Sequence, residues 1–350
     1  GMILKGDNKM EEDFKALEFI GGKLKLIDQR LLPTKFEYFY CKTSDDVVFA
    51  IKDMVVRGAP AIGGCAGYGV YLASLEAAGD RDLFDEKCMK LRTSRPTAVN
   101  LMWAVDRMRA KAFETDFDSI SLLDEANSIV KEDIEMNHIL SKIGNSVIKH
   151  GATILTHCNT GALATCGWGT ALGVIKEAHY SGKNIFVYAD ETRPRFQGAR
   201  LTSWELVKAG IPSKLIVDSA ASSLIRDGKI DAVILGADRI TANGDVANKL
   251  GTFTLSVLCK EYGVPFYSVA PTTTIDFEMK DGKDIPIEER DANEVKRPGG
   301  VLVAPDKMDV YNPAFDVTPH QNITGIITEK GIIRAPFDMN IERIRKGESL

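Results

Sequence analysis

The spacing of hydrophobic and polar positions changes once along this chain, near Gly151. Between Lys23 and Lys42 apolar and polar residues alternate. Leu24 and Leu26, then Phe36, Tyr38 and Tyr40, recur at every second position, which predicts two short strands, Lys23–Leu32 and Lys35–Lys42, around Pro33. A helical period follows. Ser44 is placed to cap a helix over 45–56, and Pro60 opens a Gly- and Ala-rich helix through about Ala77. Further helices are predicted over 82–93, 98–113 and 121–150, the last with a weak point at Gly144. Residues 2–13 are polar, and loose chain is expected there.

After Gly151 the runs become short and apolar: Thr153–His157, Asn184–Ala189, Lys214–Val217, Asp231–Leu235, Pro265–Val269 and Ile323–Thr328. Helices are predicted in most gaps, including Ser203–Ala209, Ser219–Asp227 and Thr252–Tyr262. Strands alternating with helices predict an α/β fold, a doubly wound domain with a mainly parallel sheet. The expected organisation is therefore a mostly helical N-terminal domain with a small β element (1–120), a connecting helix (121–150) and an α/β domain (151–350).

Composition narrows the function classes. Apolar residues make up 44% of the 350 and charged residues 27%, an ordinary globular balance. A formal net charge of -5 argues against nonspecific nucleic-acid binding, while leaving room for a local basic pocket. Six scattered cysteines with no C-x-x-C pair suggest a reducing compartment, hence the cytoplasm, and no zinc site. No signal-peptide pattern is present at the N-terminus. Two long uncharged runs, Gly58–Leu75 and Gly151–Ile175, contain Gly, Ser, Thr or Asn, and are read as buried interior rather than membrane spans.

In open α/β sheets ligands bind beyond the carboxyl ends of the strands, so the residues after each strand matter most. Cys158-Asn159-Thr160-Gly161 follows the first one, at a predicted strand-to-helix turn whose free N–H groups favour an anion or thiolate. A buried cysteine at an ordinary turn is the competing reading. Asp238 ends the apolar run 232–235, where desolvation raises a carboxylate's pKa and suits it to proton donation. Asn248-Lys249 precedes a predicted helix start at Gly251-Thr252 that suits a phosphate. Arg57-Gly58-Ala59-Pro60 and Arg95 offer positive charge from the N-terminal part, and Gln197 a hydrogen bond to sugar hydroxyls. His157 neighbours Cys158, but adjacent strand residues point to opposite faces, so no Cys–His dyad is expected. Gly167-Trp168-Gly169 with Gly173 nearly matches a dinucleotide loop, yet lies too far past the strand. Close packing explains those glycines better, as it does Gly63–Gly69.

Several ordered motifs resemble the methylthioribose-1-phosphate isomerase family: VRGAPAIG with Arg57, SRPTAVNL (94–101), LTHCNTGALAT (155–165), ETRPRFQGARLT (191–202), GADRITANGDVANKLGT (236–252), IPIEER (285–290) and NPAFDVTP (312–319). The resemblance runs from Asp28 onward and extends to a superfamily with ribose-1,5-bisphosphate isomerases, 5-deoxypentose-phosphate isomerases and regulatory subunits of translation initiation factor 2B. It implies a Rossmann-like C-terminal domain, a homodimer, and conversion of an aldose 1-phosphate to a ketose 1-phosphate in methionine salvage, with no metal or organic cofactor. The family's catalytic cysteine and aspartate fall on Cys158 and Asp238. Its substrate contacts fall on Arg57, Gly58, Ala59, Arg95, Gln197, Asn248 and Lys249. Thr160 and Cys166-Gly167-Trp168 stand at a variable part of the pattern and leave the sugar's C5 substituent open. Alternative substrates are 5-deoxyribose 1-phosphate and ribose 1,5-bisphosphate, and the alternative class is a noncatalytic regulatory subunit.

Overall fold

A computed structural model describes residues 2–5, 9–96 and 98–350. Thr97, part of the predicted helix start after Arg95, lies outside the described residues. Strands β1 (Met2–Lys5) and β2 (Lys9–Glu12) pair antiparallel, so much of the segment expected to be loose is a hairpin. A three-stranded antiparallel sheet follows, from β3 (Leu17–Ile20), β4 (Lys23–Ile27) and β5 (Tyr38–Cys41). Its register sets Leu24 opposite Cys41 and Leu26 opposite Phe39. The buried face of β5 therefore carries Phe39 and Cys41, and the expected partners Tyr38 and Tyr40 point outward with Phe36. The alternation was visible in the sequence, but the register that chooses the inner face was not.

Helices α1 (Ser44–Lys52), α2 (Ala59–Ala77), α3 (Arg81–Arg92), α4 (Val99–Glu114) and α5 (Ser119–Asn145) form the helical layer. The cap of α1 is Thr43 rather than Ser44, because Thr43 and Asp46 form a reciprocal capping box. Helix α2 is buried almost all round. Its glycines let neighbours approach: a Cβ on Gly63 would meet Asn100 of α4, and one on Gly67 would meet Ile129 of α5. Helix α5 stops just past Gly144, which packs against Val174 and Ile327.

The α/β part comprises β6 (Thr153–Thr156), α6 (Ala171–Tyr180), β7 (Phe186–Asp190), α7 (Ser203–Ala209), β8 (Ser213–Ile216), α8 (Ala221–Arg226) and β9 (Ala232–Leu235). It continues through β10 (Arg239–Thr241), β11 (Val246–Lys249), α9 (Thr252–Tyr262), β12 (Phe266–Val269) and β13 (Ile275–Asp276). It ends with α10 (Asn293–Lys296), β14 (Phe315–Thr318), β15 (Gly325–Thr328), β16 (Gly331–Ile333) and α11 (Phe337–Arg345). The large sheet has the order β16-β15-β12-β9-β6-β7-β8 and is parallel except at β16. The chain winds outward from β6 to β8, then returns to the other side of β6 at β9 and winds outward to β15. That reversal opens a crevice between β6 and β9 at their carboxyl ends. Strand β9 is built from apolar residues, with Val233, Ile234 and Leu235 fully buried, and β6 sets the fully buried Ile154 and Leu155 between two threonines. Truncating one such leucine to alanine costs about 2–5 kcal/mol.

Two features escaped the hydrophobic pattern. A second sheet, β13-β10-β11-β14, begins directly after Asp238; its strands are too short and too polar to stand out. The helix expected soon after Gly161 starts only at Ala171. The intervening loop closes on itself through Thr170 N–H to Thr160 O and a bridge between Gly161 and Gly169. Gly169, at φ +108°, rests on the Gly161 backbone and Gly173 on Ser141, so both serve close packing. No helix among the described residues is long and apolar enough to cross a membrane.

Candidate active site

The crevice between β6 and β9 holds a cleft of about 790 Å³. All nine sequence candidates line it: Cys158 and Asp238, with Arg57, Gly58, Ala59, Arg95, Gln197, Asn248 and Lys249. The loop after β6 supplies Cys158, the loop after β9 supplies Asp238, and β11 supplies Asn248 and Lys249. The start of α2 closes the cleft from the helical layer. Gly58 caps α2 at φ +93°, and a Cβ there would lie 2.4 Å from the Ala164 carbonyl oxygen, so no larger residue fits. This contact sets the positive end of a long helix dipole against the loop that carries Cys158.

Cys158 itself has φ +62°, a strained conformation for a residue with a side chain. Two threonines hold it there. The Cys158 N–H donates to Thr192 Oγ1 at 2.8 Å, and the Thr202 hydroxyl donates to the Cys158 carbonyl at 2.6 Å. No helix start lies behind the sulfur, contrary to expectation, because α6 begins much later. The positive charge comes instead from Arg57, whose Nη2 is 3.5 Å from Sγ. Arg57 also donates to Asn159 Oδ1 and to the Asn159 carbonyl, both at 2.8 Å. The Asn159 amide donates in turn to Glu205 Oε2 at 2.8 Å, while Glu205 Oε1 accepts the Ala162 N–H at 2.8 Å. Glu205 is fully buried beside Lys176. A chain of polar contacts thus runs from Glu205 through Asn159 and Arg57 to the sulfur.

Asp238 faces the cleft with no hydrogen bond to its carboxylate among the described residues; only its N–H is engaged, with Ala247 O. Burial raises its pKa, and the charges of Lys249, Arg57 and Arg95 oppose that rise. Lys249 lies 4.8 Å above the Phe315 ring, and burial lowers its pKa. Arg95 is largely buried, its Nε and Nη1 without a hydrogen-bond partner among the described residues, and Glu288 lies 4.0 Å from its Nη2. Gln197 likewise keeps a buried Oε1 without a partner. Three cations around one carboxylate leave the cleft net positive, as a phosphate dianion requires. The phosphate seat expected at the start of α9 is taken, however. Asp316 accepts the Gly251 N–H at 2.8 Å and the Phe253 N–H at 3.1 Å. Lys249 therefore lines the cleft from the end of a strand, and Asn248 donates an amide N–H to Thr252 Oγ1.

The profile of the initiation factor 2 subunit family matches residues 55–335. The chain belongs to this family. Among its relatives, the methylthioribose-1-phosphate isomerase of Thermoanaerobacter pseudethanolicus is 62% identical over 95% of this chain and 100% of its own. That of Caldicellulosiruptor saccharolyticus is 53% identical over 95% and 99%. The crystal structure of 5-methylthioribose 1-phosphate isomerase from Pyrococcus horikoshii superposes with a TM-score of 0.87 at 43% identity, covering 95% of this chain and 96% of that one. Translation initiation factor eIF-2B subunit delta from A. fulgidus superposes at 0.83 with 40% identity, over 95% and 100%. The family thus includes proteins named for catalysis and for translation.

Sequence reasoning missed Asn159, Glu205, Thr192 and Thr202 as parts of this site. Asn159 stood within the strand-end segment already singled out, and Thr192 within the 191–202 motif. Thr202 closed that same motif without being singled out, and Glu205 carried no signal, because the partners of both lie more than forty positions away.

Proposed function

We propose that this protein is a methylthioribose-1-phosphate isomerase, acting in methionine salvage on the aldose phosphate to form 5-methylthioribulose 1-phosphate. The observation that carries the reading is one cleft holding a cysteine faced by the Arg57 guanidinium, a desolvated aspartate and two further cations, Arg95 and Lys249. A phosphate on the anomeric oxygen blocks ordinary ring opening. Asp238 donates a proton to the ring oxygen as the bond from that oxygen to C1 breaks, a step suited to a carboxyl whose pKa is raised. Hydrogen then moves from C2 to C1, and the C2 hydroxyl gives its proton back to the Asp238 carboxylate as the ketone forms. Cys158 either carries it as a proton, with Arg57 stabilising charge on sulfur, or lines a dry cleft across which it passes as hydride. Appearance of solvent deuterium at C1 separates the two routes. Arg95 and Lys249 hold the phosphate beside Gly58 and Ala59 at the start of α2, and Gln197 and Asn248 orient the sugar.

The division proposed is a helical part (1–120), a connecting helix (121–150) and a Rossmann-like part (151–350); one apolar core fills the helical layer and two flank the large sheet, while the connecting helix gives Leu122, Ala126 and Ile129 to the first and Leu140 to the second. Exposed Val301, Val303, Met308 and Tyr311 support a homodimer formed through the α/β part; a monomer in sedimentation at micromolar concentration would count against it. The scattered, unpaired cysteines fit a cytoplasmic enzyme.

The deciding experiment compares kcat/KM for 5-methylthioribose 1-phosphate, 5-deoxyribose 1-phosphate and ribose 1,5-bisphosphate. The first should be preferred. No turnover of any of them would favour the regulatory-subunit reading suggested by the likeness to eIF-2B subunit delta.

A further inference from the structure

We propose that His157 is an imidazolium that clamps two walls of the cleft together, and is thereby a positioning residue for both Cys158 and Lys249. The inference rests on the site described above, but its first observable does not depend on the substrate. The ring is buried, with Nδ1 2.8 Å from Asp190 Oδ2 and Nε2 2.8 Å from the Leu250 carbonyl oxygen. A carbonyl only accepts, so Nε2 carries a hydrogen. An ionised carboxylate only accepts, so Nδ1 carries one too, and a ring with both N–H groups is the cation.

The charged groups that face the ring favour placing the proton there rather than on Asp190. They are three carboxylates: Asp190 from β7, Asp218 from the segment after β8, and Asp316 from β14. Asp218 accepts the N–H groups of Thr192 and Arg193 on its two carboxylate oxygens, both at 2.8 Å. Asp190 Oδ1 has no hydrogen-bond partner among the described residues; burial raises the Asp190 pKa, and the bond and charge of His157 oppose that rise. Burial by itself lowers the ring's pKa; the bond and charge of Asp190, with Asp218 and the Leu250 carbonyl, outweigh it and raise the value. His157, Asp190 and Asp218 have ligand-type atoms within 4.8 Å of one another, as a metal site would need. Both ring nitrogens are already engaged in hydrogen bonds, so the trio reads as a salt-bridged clamp.

The clamp's position gives it a role. His157 precedes Cys158, and Leu250 follows Lys249, so one ring ties the loop after β6 to the end of β11. Asp190 leads to Thr192, whose hydroxyl accepts the Cys158 N–H. The turn at Gly251 is shaped around the ring: its φ is +106°, and a Cβ there would lie 2.9 Å from the His157 Cε1. The sulfur and the phosphate-facing ammonium are thereby held in one register.

A group whose pKa is raised on folding contributes while pH is below that value, and its contribution fades as pH rises through it. The clamp should accordingly give kcat an alkaline limb.

The test is ¹⁵N NMR of the full-length wild-type protein labelled at its five histidines, with His157 assigned by loss of its signals in His157→Gln. The expected result at neutral pH is a ring protonated on both nitrogens. Asp190→Asn, which keeps the shape but removes the anion, should move the ring's titration to lower pH. A neutral His157 ring, or a titration unmoved in Asp190→Asn, would overturn the clamp whatever the activity. In kinetics, His157→Gln should lose about 10²-fold in kcat/KM, the scale of a misplacement near 1 Å. It should also lose the alkaline limb of kcat, whose midpoint in wild type should coincide with the NMR titration. A His157→Gln enzyme that retains that limb would show the ring to be structural only. Wild-type protein inactive on methylthioribose 1-phosphate would instead refute the proposed reaction, with the protonation result standing on its own.

Discussion

Replacing Glu205 by glutamine changes one atom far from the substrate and should be felt at the cysteine. Glu205 offers two acceptors, one to the Ala162 N–H and one to the Asn159 amide nitrogen. A glutamine that keeps the first bond presents an NH₂ group to the second, so two donors collide. Asn159 can relieve this only by flipping its amide, which turns its nitrogen toward Arg57 Nη1, at present bonded to Asn159 Oδ1. Either way one charge-assisted bond is lost, worth about 1.5–3 kcal/mol, and a buried donor is left unpaired, at about 1–3 kcal/mol. Burial raises the Glu205 pKa, so a neutral side chain recovers part of the desolvation energy. The net loss of stability should then be about 1–3 kcal/mol, a few degrees in Tm. Activity is the sharper readout. Arg57 would keep its bond to the Asn159 carbonyl and lose the one to Oδ1. If about 1.5–2 kcal/mol of that loss is felt in the transition state, kcat falls about 10- to 30-fold. Asn159→Asp makes the opposite separation. It preserves an acceptor for Arg57 but faces Glu205 with a second carboxylate, so it should lose more stability and less kcat. The assays are steady-state kinetics and thermal denaturation on both variants. A folded Glu205→Gln enzyme with wild-type kcat, or the same ranking of the two variants in both assays, would refute the polar chain.

Asp238→Asn should lower kcat about 10²- to 10⁴-fold with substrate still bound. Because burial raises the Asp238 pKa, ionisation opposes folding; the cost is absent below the unfolded carboxylate pKa and grows as pH rises toward the folded value. The variant should therefore match or exceed wild type in Tm at neutral pH, and a clear loss of stability there would contradict the assignment. Cys158→Ser should remain folded by circular dichroism and lose most activity; in wild type, alkylation should reach Cys158 ahead of the other five cysteines, all buried and all with thiols pushed up by burial, and substrate should protect it. Lys249→Ala and Arg95→Ala should each raise KM more than they lower Tm, and unchanged KM in both would move the phosphate elsewhere in the cleft.

The sequence by itself determined the elements that depend on local pattern. The strands 153–156 and 232–235 are uncharged runs of β-branched and apolar residues between turn-forming ones, and any α/β arrangement buries them. The positions after those strands follow from the rule that ligands meet a parallel sheet at its carboxyl edge, so Cys158 and Asp238 were legible before any coordinate. Even there the local cause was misread for the sulfur and for Lys249. Only the tertiary structure could show that α6 starts beyond a closed loop, that Asp316 occupies the start of α9, and that Arg57 supplies the charge beside Cys158. It also decided which face of β5 is inner, through a register that no single strand encodes. The same holds for Glu205, Thr202 and His157, each an ordinary residue in its own segment. Their roles arise from hydrogen bonds to partners far along the chain, and such bonds leave no periodicity because nothing about either residue's neighbours requires them. Local pattern governs which segments are buried, whereas the pairing of buried polar atoms is a property of the folded packing alone.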